Sequence, residues 1–142
     1  MKKTKILLTL PLGICLLLVL AAYLFTYKFS GYTYDSGMEY HVFPEEYDEE
    51  YSEYIETISL KKNTDYRVEV EATCQAGTMD LTILYADGSE KQYSVDAGAP
   101  FNEVIEVSKN TTDEIKIAIN FNPDTEGTLK IDVYAHRHYF LV

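Results

Sequence analysis

Three stretches of this chain put an apolar side chain at every second position, and a polypeptide with that period buries one clean face only as a β-strand. Tyr66, Val68 and Val70 alternate with Arg67, Glu69 and Glu71. Ile115, Ile117, Ile119 and Phe121 alternate with Lys116, Ala118 and Asn120, and Leu129, Ile131 and Val133 alternate with Lys130 and Asp132. One dry and one wet face per strand predicts antiparallel sheets stacked on a shared core.

The segments between these stretches carry turn chemistry. Asp87-Gly88 predicts a tight hairpin between 81–85 and 90–95, because that dipeptide supplies positive φ angles. Polar or Gly/Pro-containing breaks at 61–64, 96–100, 108–112 and 122–127 recur at the spacing of a sandwich, and no helical stretch of any length fits between them. Cys74 shares the parity of Tyr66, Val68, Val70 and Ala72, which predicts a buried, inert thiol; the other reading is an intermolecular disulfide or a reactive group.

Residues 29–60 hold no lysine or arginine, while acids and tyrosines interleave. Pro44-Glu45-Glu46 reads as a helix start, with proline in the first turn and carboxylates near the positive end of the dipole. Tyr47, Tyr51, Tyr54, Ile55 and Ile58 follow at helical spacing, which predicts one or two helical turns packing a tyrosine stripe on the sandwich before strand pairing takes over, with 39–43 as a short strand ahead of them. Glu45, Glu46, Tyr47, Asp48, Glu49, Glu50, Tyr51 and Glu53 form the candidate binding site. Tyrosines give contact area and carboxylates select a basic partner. The competing readings are a solvated acidic stalk and a calcium site, the latter without the ordered spacing and glycine turn of a calcium loop.

At the N-terminus, 6–25 is an unbroken apolar run preceded by Lys2, Lys3 and Lys5. As a helix it would be roughly 30 Å long, enough for a bilayer core, whereas the apolar part of a cleaved signal covers about 7 to 15 residues. Only Lys28 closely follows the run, so the lysine bias predicts a cytoplasmic N-terminus and an exported remainder, with Tyr23 and Tyr27 at the outer boundary. Pro11 and Gly13 are breaks that bilayer helices tolerate. Cleavage after Val19-Leu20-Ala21 and lipidation at Cys15 are the alternatives. Apolar Ala22 follows the first site, and Ile14 stands where a lipoprotein box takes a small residue.

The chain carries a formal net charge of -11, and the part beyond the lysine-bearing tail is more acidic still. Nucleic acid and anionic lipid need a basic patch, so neither is an expected partner; a basic protein surface is. No nucleophile elbow, P-loop, zincin helix or Cys/His pairing at motif spacing occurs, and no catalytic residue or cofactor is assigned. His136 and His138 would share one strand face and, with His41 or a carboxylate, are weak candidates for a metal site. Tyr93, Tyr134 and Tyr139 are candidates for a sugar-stacking platform, although the chain has no tryptophan.

The run 59–70 (SLKKNTDYRVEV), then 77–83 (GTMDLTI), Asp87-Gly88 and 126–131 (EGTLKI), resembles small exported β-sandwich proteins common in low-GC Gram-positive bacteria. The likeness covers roughly residues 53–135 and rests on strand and turn rhythm. Many of those proteins are lipoproteins, and their sheet faces are similar to accessory binding modules, so the resemblance implies a binding role and transfers no site.

The expectation is therefore a mainly β chain: one antiparallel β-sandwich, jelly-roll or Ig-like, preceded by one N-terminal transmembrane helix. Its parts would be a cytoplasmic tail at 1–5, a signal-anchor helix at 6–28, an acidic tyrosine-rich spacer at 29–52 and the extracytoplasmic sandwich at 53–142. The expected role is a non-enzymatic binding or assembly module. A carbohydrate- or metal-binding accessory domain and a small hydrolase are the alternatives.

Overall fold

The computed structural model describes residues 13–23, 31–108 and 113–138. The chain divides into two units, Met1–Thr33 and Tyr34–Val142. In the first unit 13–23 is α-helical (α1), with every described residue of that helix exposed. No helix among the described residues is long and apolar enough to cross a membrane. The flanking lysines, Pro11, Tyr27 and the rest of the 6–25 run lie outside the described residues.

Beyond α1 the described residues form eight strands: β1 (Thr33–Val42), β2 (Glu53–Ser59), β3 (Thr64–Ala76), β4 (Met79–Leu84), β5 (Glu90–Val95), β6 (Phe101–Val107), β7 (Glu114–Phe121) and β8 (Glu126–Arg137). Two single 3-10 turns, Pro44–Glu46 and Glu49–Tyr51, separate β1 from β2. The strands form two four-stranded sheets in the orders β1-β8-β3-β6 and β2-β7-β4-β5. Every connection crosses from one sheet to the other except β4 to β5. That double crossing is jelly-roll winding, and it separates the fold from an Ig-like sandwich, whose sheets keep sequential neighbours together.

The expected alternation sets the core. Tyr66, Val68, Val70, Ala72 and Cys74 of β3 point inward with Ile115, Ile117 and Ile119 of β7 and Leu129, Ile131 and Val133 of β8. Their registers agree, since Val68 lies between Val133 and Ile105, and Ile117 between Glu56 and Ile83. Phe121 is only half-buried, because the strand ends there.

The β4–β5 hairpin forms where it was expected, with Leu81 opposite Tyr93. Its turn differs in detail, because Gly88 takes a positive φ of 83° and Asp87 does not. The Gly88 N–H donates to the Tyr85 carbonyl at 3.0 Å, and the Tyr85 N–H donates to the Ser89 carbonyl at 2.8 Å. One left-handed residue after the turn therefore suffices. Asp87 acts through its side chain instead: Oδ1 accepts from the Ser89 hydroxyl at 2.6 Å and from its N–H at 2.8 Å, and these bonds hold the carboxyl below its ordinary range. From the turn end of the same hairpin the Tyr85 hydroxyl donates to Glu103 of β6 at 2.6 Å, tying the second sheet to an edge of the first.

Two expectations about 29–60 need correction. β1 is an edge strand of the first sheet, so the sandwich begins near residue 33 and much of the supposed spacer belongs to the fold. The helical stripe is also shorter than its spacing predicts: the expected turns form as Pro44–Glu46 and Glu49–Tyr51, but strand pairing takes over at Glu53, so Tyr54, Ile55 and Ile58 lie on β2, paired residue for residue with β7 from Glu53↔Asn120 to Ser59↔Glu114. A full ladder of backbone hydrogen bonds outweighs the weak helical preference of so short a segment. On the strand Ile58 turns inward and Ile55 is left exposed.

Cys74 is buried, its Sγ donates to the Val95 carbonyl at 3.4 Å, and both cysteines are free. Burial, reinforced by the negative charge of Asp96, raises the thiol above its ordinary value. Since the thiolate is the reactive form, Cys74 in a Cys15→Ser chain is expected to label slowly until denaturant is added. Equal labelling rates in the folded and unfolded chain would overturn the burial.

Candidate functional site

Leaving β1, the chain must turn back toward β2 across the end of the sandwich, and Pro44 opens that path by fixing φ for the first 3-10 turn. Asp48 opens the second turn: its side chain accepts from the Glu50 N–H at 3.0 Å and supplies the cap. The Ser52 hydroxyl donates to the Glu49 carbonyl at 2.9 Å, and the Phe121 N–H donates to the Ser52 carbonyl at 2.9 Å, which ties the segment to the end of β7.

Between these turns and the strand ends lies a groove of about 210 Å³. Its walls are largely aromatic, with Tyr40, Phe43, Tyr47, Tyr51, Tyr54 and Phe121 lining it beside Glu46 and Asp48. The rings of Tyr40 and Tyr54 pack at a centroid distance of 4.7 Å, and the Tyr54 hydroxyl donates to Glu56 at 3.0 Å. The hydroxyl contact with Tyr40, burial and Glu56 together hold the Tyr54 phenol well above its ordinary value, so it stays neutral. Among the described residues no lysine or arginine lines the groove, and His41 is its one basic side chain.

Of the eight residues expected to bind, Glu46, Tyr47, Asp48 and Tyr51 line the groove. Glu45, Glu49, Glu50 and Glu53 are exposed beside it and contribute charge without contact. Sequence reasoning missed Tyr40 of β1, Phe43 just after it and Phe121 from the distant end of β7. Only the excess of aromatic residues around 40–54 signalled such a surface.

Of the sugar platform expected from Tyr93, Tyr134 and Tyr139, the two described tyrosines are not brought together. Tyr93 sits opposite the core residue Leu81, packs on Phe101 at 4.5 Å and bonds the Tyr85 hydroxyl at 2.9 Å. Tyr134 is on the outer face of the first sheet, where the Arg67 guanidinium covers its ring at 4.8 Å and Tyr34 meets its edge. Tyr139 lies outside the described residues.

The histidines separate into two places. His41 approaches the Thr128 hydroxyl at 3.3 Å and Glu39 at 3.2 Å, beside the groove. His136 and His138 lie together near the other end of β8, with ring centroids 4.8 Å apart. Their carboxylate neighbour is Asp65, which is paired with His136 across the β3–β8 ladder and lies 2.7 Å from His138 Nε2.

No protein-family model and no curated protein matches this chain. Among solved structures it is similar to the carbohydrate-binding module TmCBM61 in complex with β-1,4-galactotriose, at 24% identity and TM-score 0.38, over 61% of this chain and 62% of that one. It is also similar to a CBM4 structure, at 12% identity and TM-score 0.36, over 80% of this chain and 83% of that one. A third likeness is to the CBM22-1 xylan-binding domain of Paenibacillus barcinonensis Xyn10C, at 9% identity and TM-score 0.32, over 58% of this chain and 64% of that one.

Proposed function

We propose that the chain is a non-enzymatic binding module held at the outer surface of a membrane, and that its groove takes a lysine or arginine side chain of a basic protein partner. The observation that carries this reading is an aromatic-walled groove that Glu46 and Asp48 also line, with no lysine or arginine among the described residues around it. A cation seated on such rings gains about 0.5 to 2 kcal/mol, and hydrogen bonds to the charged Glu46 and Asp48 add about 1.5 to 3 kcal/mol each. At about 210 Å³ the groove is smaller than drug-sized pockets and suits one anchoring side chain. The exposed acids Glu45, Glu49, Glu50 and Glu53 then act at long range, steering a basic partner toward it.

The tether rests on sequence. An apolar run at 6–25 with Lys2, Lys3 and Lys5 before it has the length and the charge asymmetry of an N-in anchor. Intact mass checks this: a mature chain starting near Ala22 or at a lipidated Cys15 would replace the anchor by export or lipidation.

The binding test is a titration of the full chain in detergent with a labelled lysine-rich peptide, followed by fluorescence anisotropy. Glu46→Gln combined with Asp48→Asn is expected to weaken binding at least about tenfold, since tenfold corresponds to only about 1.4 kcal/mol. Asn keeps the cap at position 48, which protects the fold from the substitution. Neutralising Glu49, Glu50 and Glu53 together is expected to change mainly the association rate and its salt dependence. Unchanged affinity in the double variant would end the proposal.

Carbohydrate binding in the same groove is the second reading, favoured by Phe43 and Tyr51, which stand exposed at its rim. Retention on insoluble polysaccharide that is lost in Tyr51→Ala, with no peptide binding, would establish it instead.

A further inference from the structure

The far end of the first sheet gathers two imidazoles and a carboxylate with no evident part in the groove. His41, beside the groove, lies against Thr128, and β8 runs eight further residues to His136; at about 3.3 Å per residue that is roughly 26 Å. The second cluster is therefore a separate place on the molecule.

We propose that Asp65, His136 and His138 form a three-ligand site for a divalent transition-metal ion of the zinc class. One donor atom from each residue lies within 4.8 Å of the other two, and all three residues are half-buried. Two features of the fold bring them together. Alternation along the chain puts His136 and His138 on one face, and the β3–β8 register places Asp65 directly across from His136. The backbone supports the arrangement, since the His138 N–H donates to the Asn63 carbonyl at 2.9 Å and holds the chain end against the β2–β3 turn.

The donor chemistry selects the ion. Two nitrogens and one oxygen suit zinc and its neighbours, whereas calcium and magnesium take oxygen ligands almost throughout. At metal–ligand distances of about 2.0 to 2.1 Å, tetrahedral donors stand about 3.3 Å apart. The Asp65–His138 pair must then open slightly from 2.7 Å, and His136 must move in by an ångström or so, shifts that side-chain rotation supplies. Three protein ligands leave a fourth position for water or for a group on a bound molecule. Metal here would clip the end of β8 to the start of β3, so binding would stabilise the sandwich.

The test uses the tag-free full chain in detergent, stripped with chelator and titrated with zinc chloride by calorimetry and thermal melting. One ion per chain with a raised melting temperature is expected. Asp65→Asn and His136→Ala are each expected to weaken zinc binding at least about tenfold, whereas His41→Ala leaves it unchanged. Asp65→Asn keeps the shape and a hydrogen-bonding group, so it remains informative if an alanine variant misfolds. Three results would each overturn the proposal: no zinc binding, affinity unaltered by Asp65→Asn and His136→Ala, or calcium bound as tightly as zinc.

Discussion

Ile117→Ala is expected to destabilise the sandwich by about 2 to 5 kcal/mol, the range for truncating a buried isoleucine that its neighbours cannot collapse around. Ile117 is fully buried in the middle of β7, held between Glu56 of β2 and Ile83 of β4, and flanked on its own strand by the equally buried Ile115 and Ile119. A rigid ladder on both sides limits relaxation, which puts the loss toward the upper part of that range. Domains are stable by only about 5 to 15 kcal/mol, so one such change removes a large share. Two comparators give the measurement its meaning. Ile117→Val should cost about 0.5 to 1.5 kcal/mol, and Ile55→Ala, on the outward face of the neighbouring strand, should stay within about 0.5 kcal/mol. Urea unfolding of the full chain in detergent, with the midpoint shifted and the slope unchanged, is the readout. Equal losses at 55 and 117 would mean that the β2–β7 register is wrong.

Gly77→Ala is expected to cost about 2 to 5 kcal/mol, from two terms that a second glycine separates. Gly77 turns the chain from β3 into β4 with a φ of +66°, where a Cβ costs about 1 to 2 kcal/mol. An added Cβ would also stand 2.5 Å from the Asp124 carbonyl oxygen and 2.7 Å from its carbon, backbone atoms of the β7–β8 connection that must be displaced. Overpacking of that kind costs about 1 to 3 kcal/mol. The connection has little freedom to give. Thr125 is fully buried, its hydroxyl donates to the Thr78 carbonyl at 2.5 Å and accepts from the Asn122 N–H at 2.9 Å, and Asn122 donates in turn to Thr78. Gly88 has the same sign of φ, at +83°, but nothing within 4 Å of the added carbon, so Gly88→Ala isolates the backbone term at about 1 to 2 kcal/mol. Thermal unfolding of the two variants side by side checks this; equal losses would remove the steric account of Gly77.

The two changes test different levels of legibility. Ile117 was readable because strand periodicity is local: each residue's face follows from its neighbours at plus and minus two, whatever the rest of the chain does. The same holds for Tyr66, Val68 and Val70, for the parity of Cys74 and for the Asp87-Gly88 hairpin, the one place among the described strands where consecutive ones pair within a sheet. The close approach at Gly77 was not readable, because the group it must avoid lies 47 positions away. How far the helical stripe of 44–58 extends was not readable for a related reason. Its helical spacing was real, but β7 offered a full ladder from Glu53 to Ser59, and nothing local announces a partner more than fifty residues downstream.

The candidate sites divide along the same line. The acid and tyrosine content of 45–53 marked the wall of a groove, because composition is carried by the chain itself. The lining residues Tyr40 and Phe121 were set by which strand ends meet, and so was the removal of Tyr93 from any outer platform. His136 and His138 were legible as a pair on one strand face, while Asp65 joins them only through the β3–β8 register.

By itself the sequence determined the β class, the inward and outward faces, the one hairpin, the acidic balance and the apolar run at 6–25. All of these depend on residues close in sequence or on composition alone. Only the tertiary structure decided the jelly-roll winding, the place of β1 in the first sheet, the aromatic groove and the cluster of Asp65 with the two histidines. Each of these depends on pairing between strands far apart in the chain, chosen by shared burial and a common backbone ladder, which no local pattern encodes.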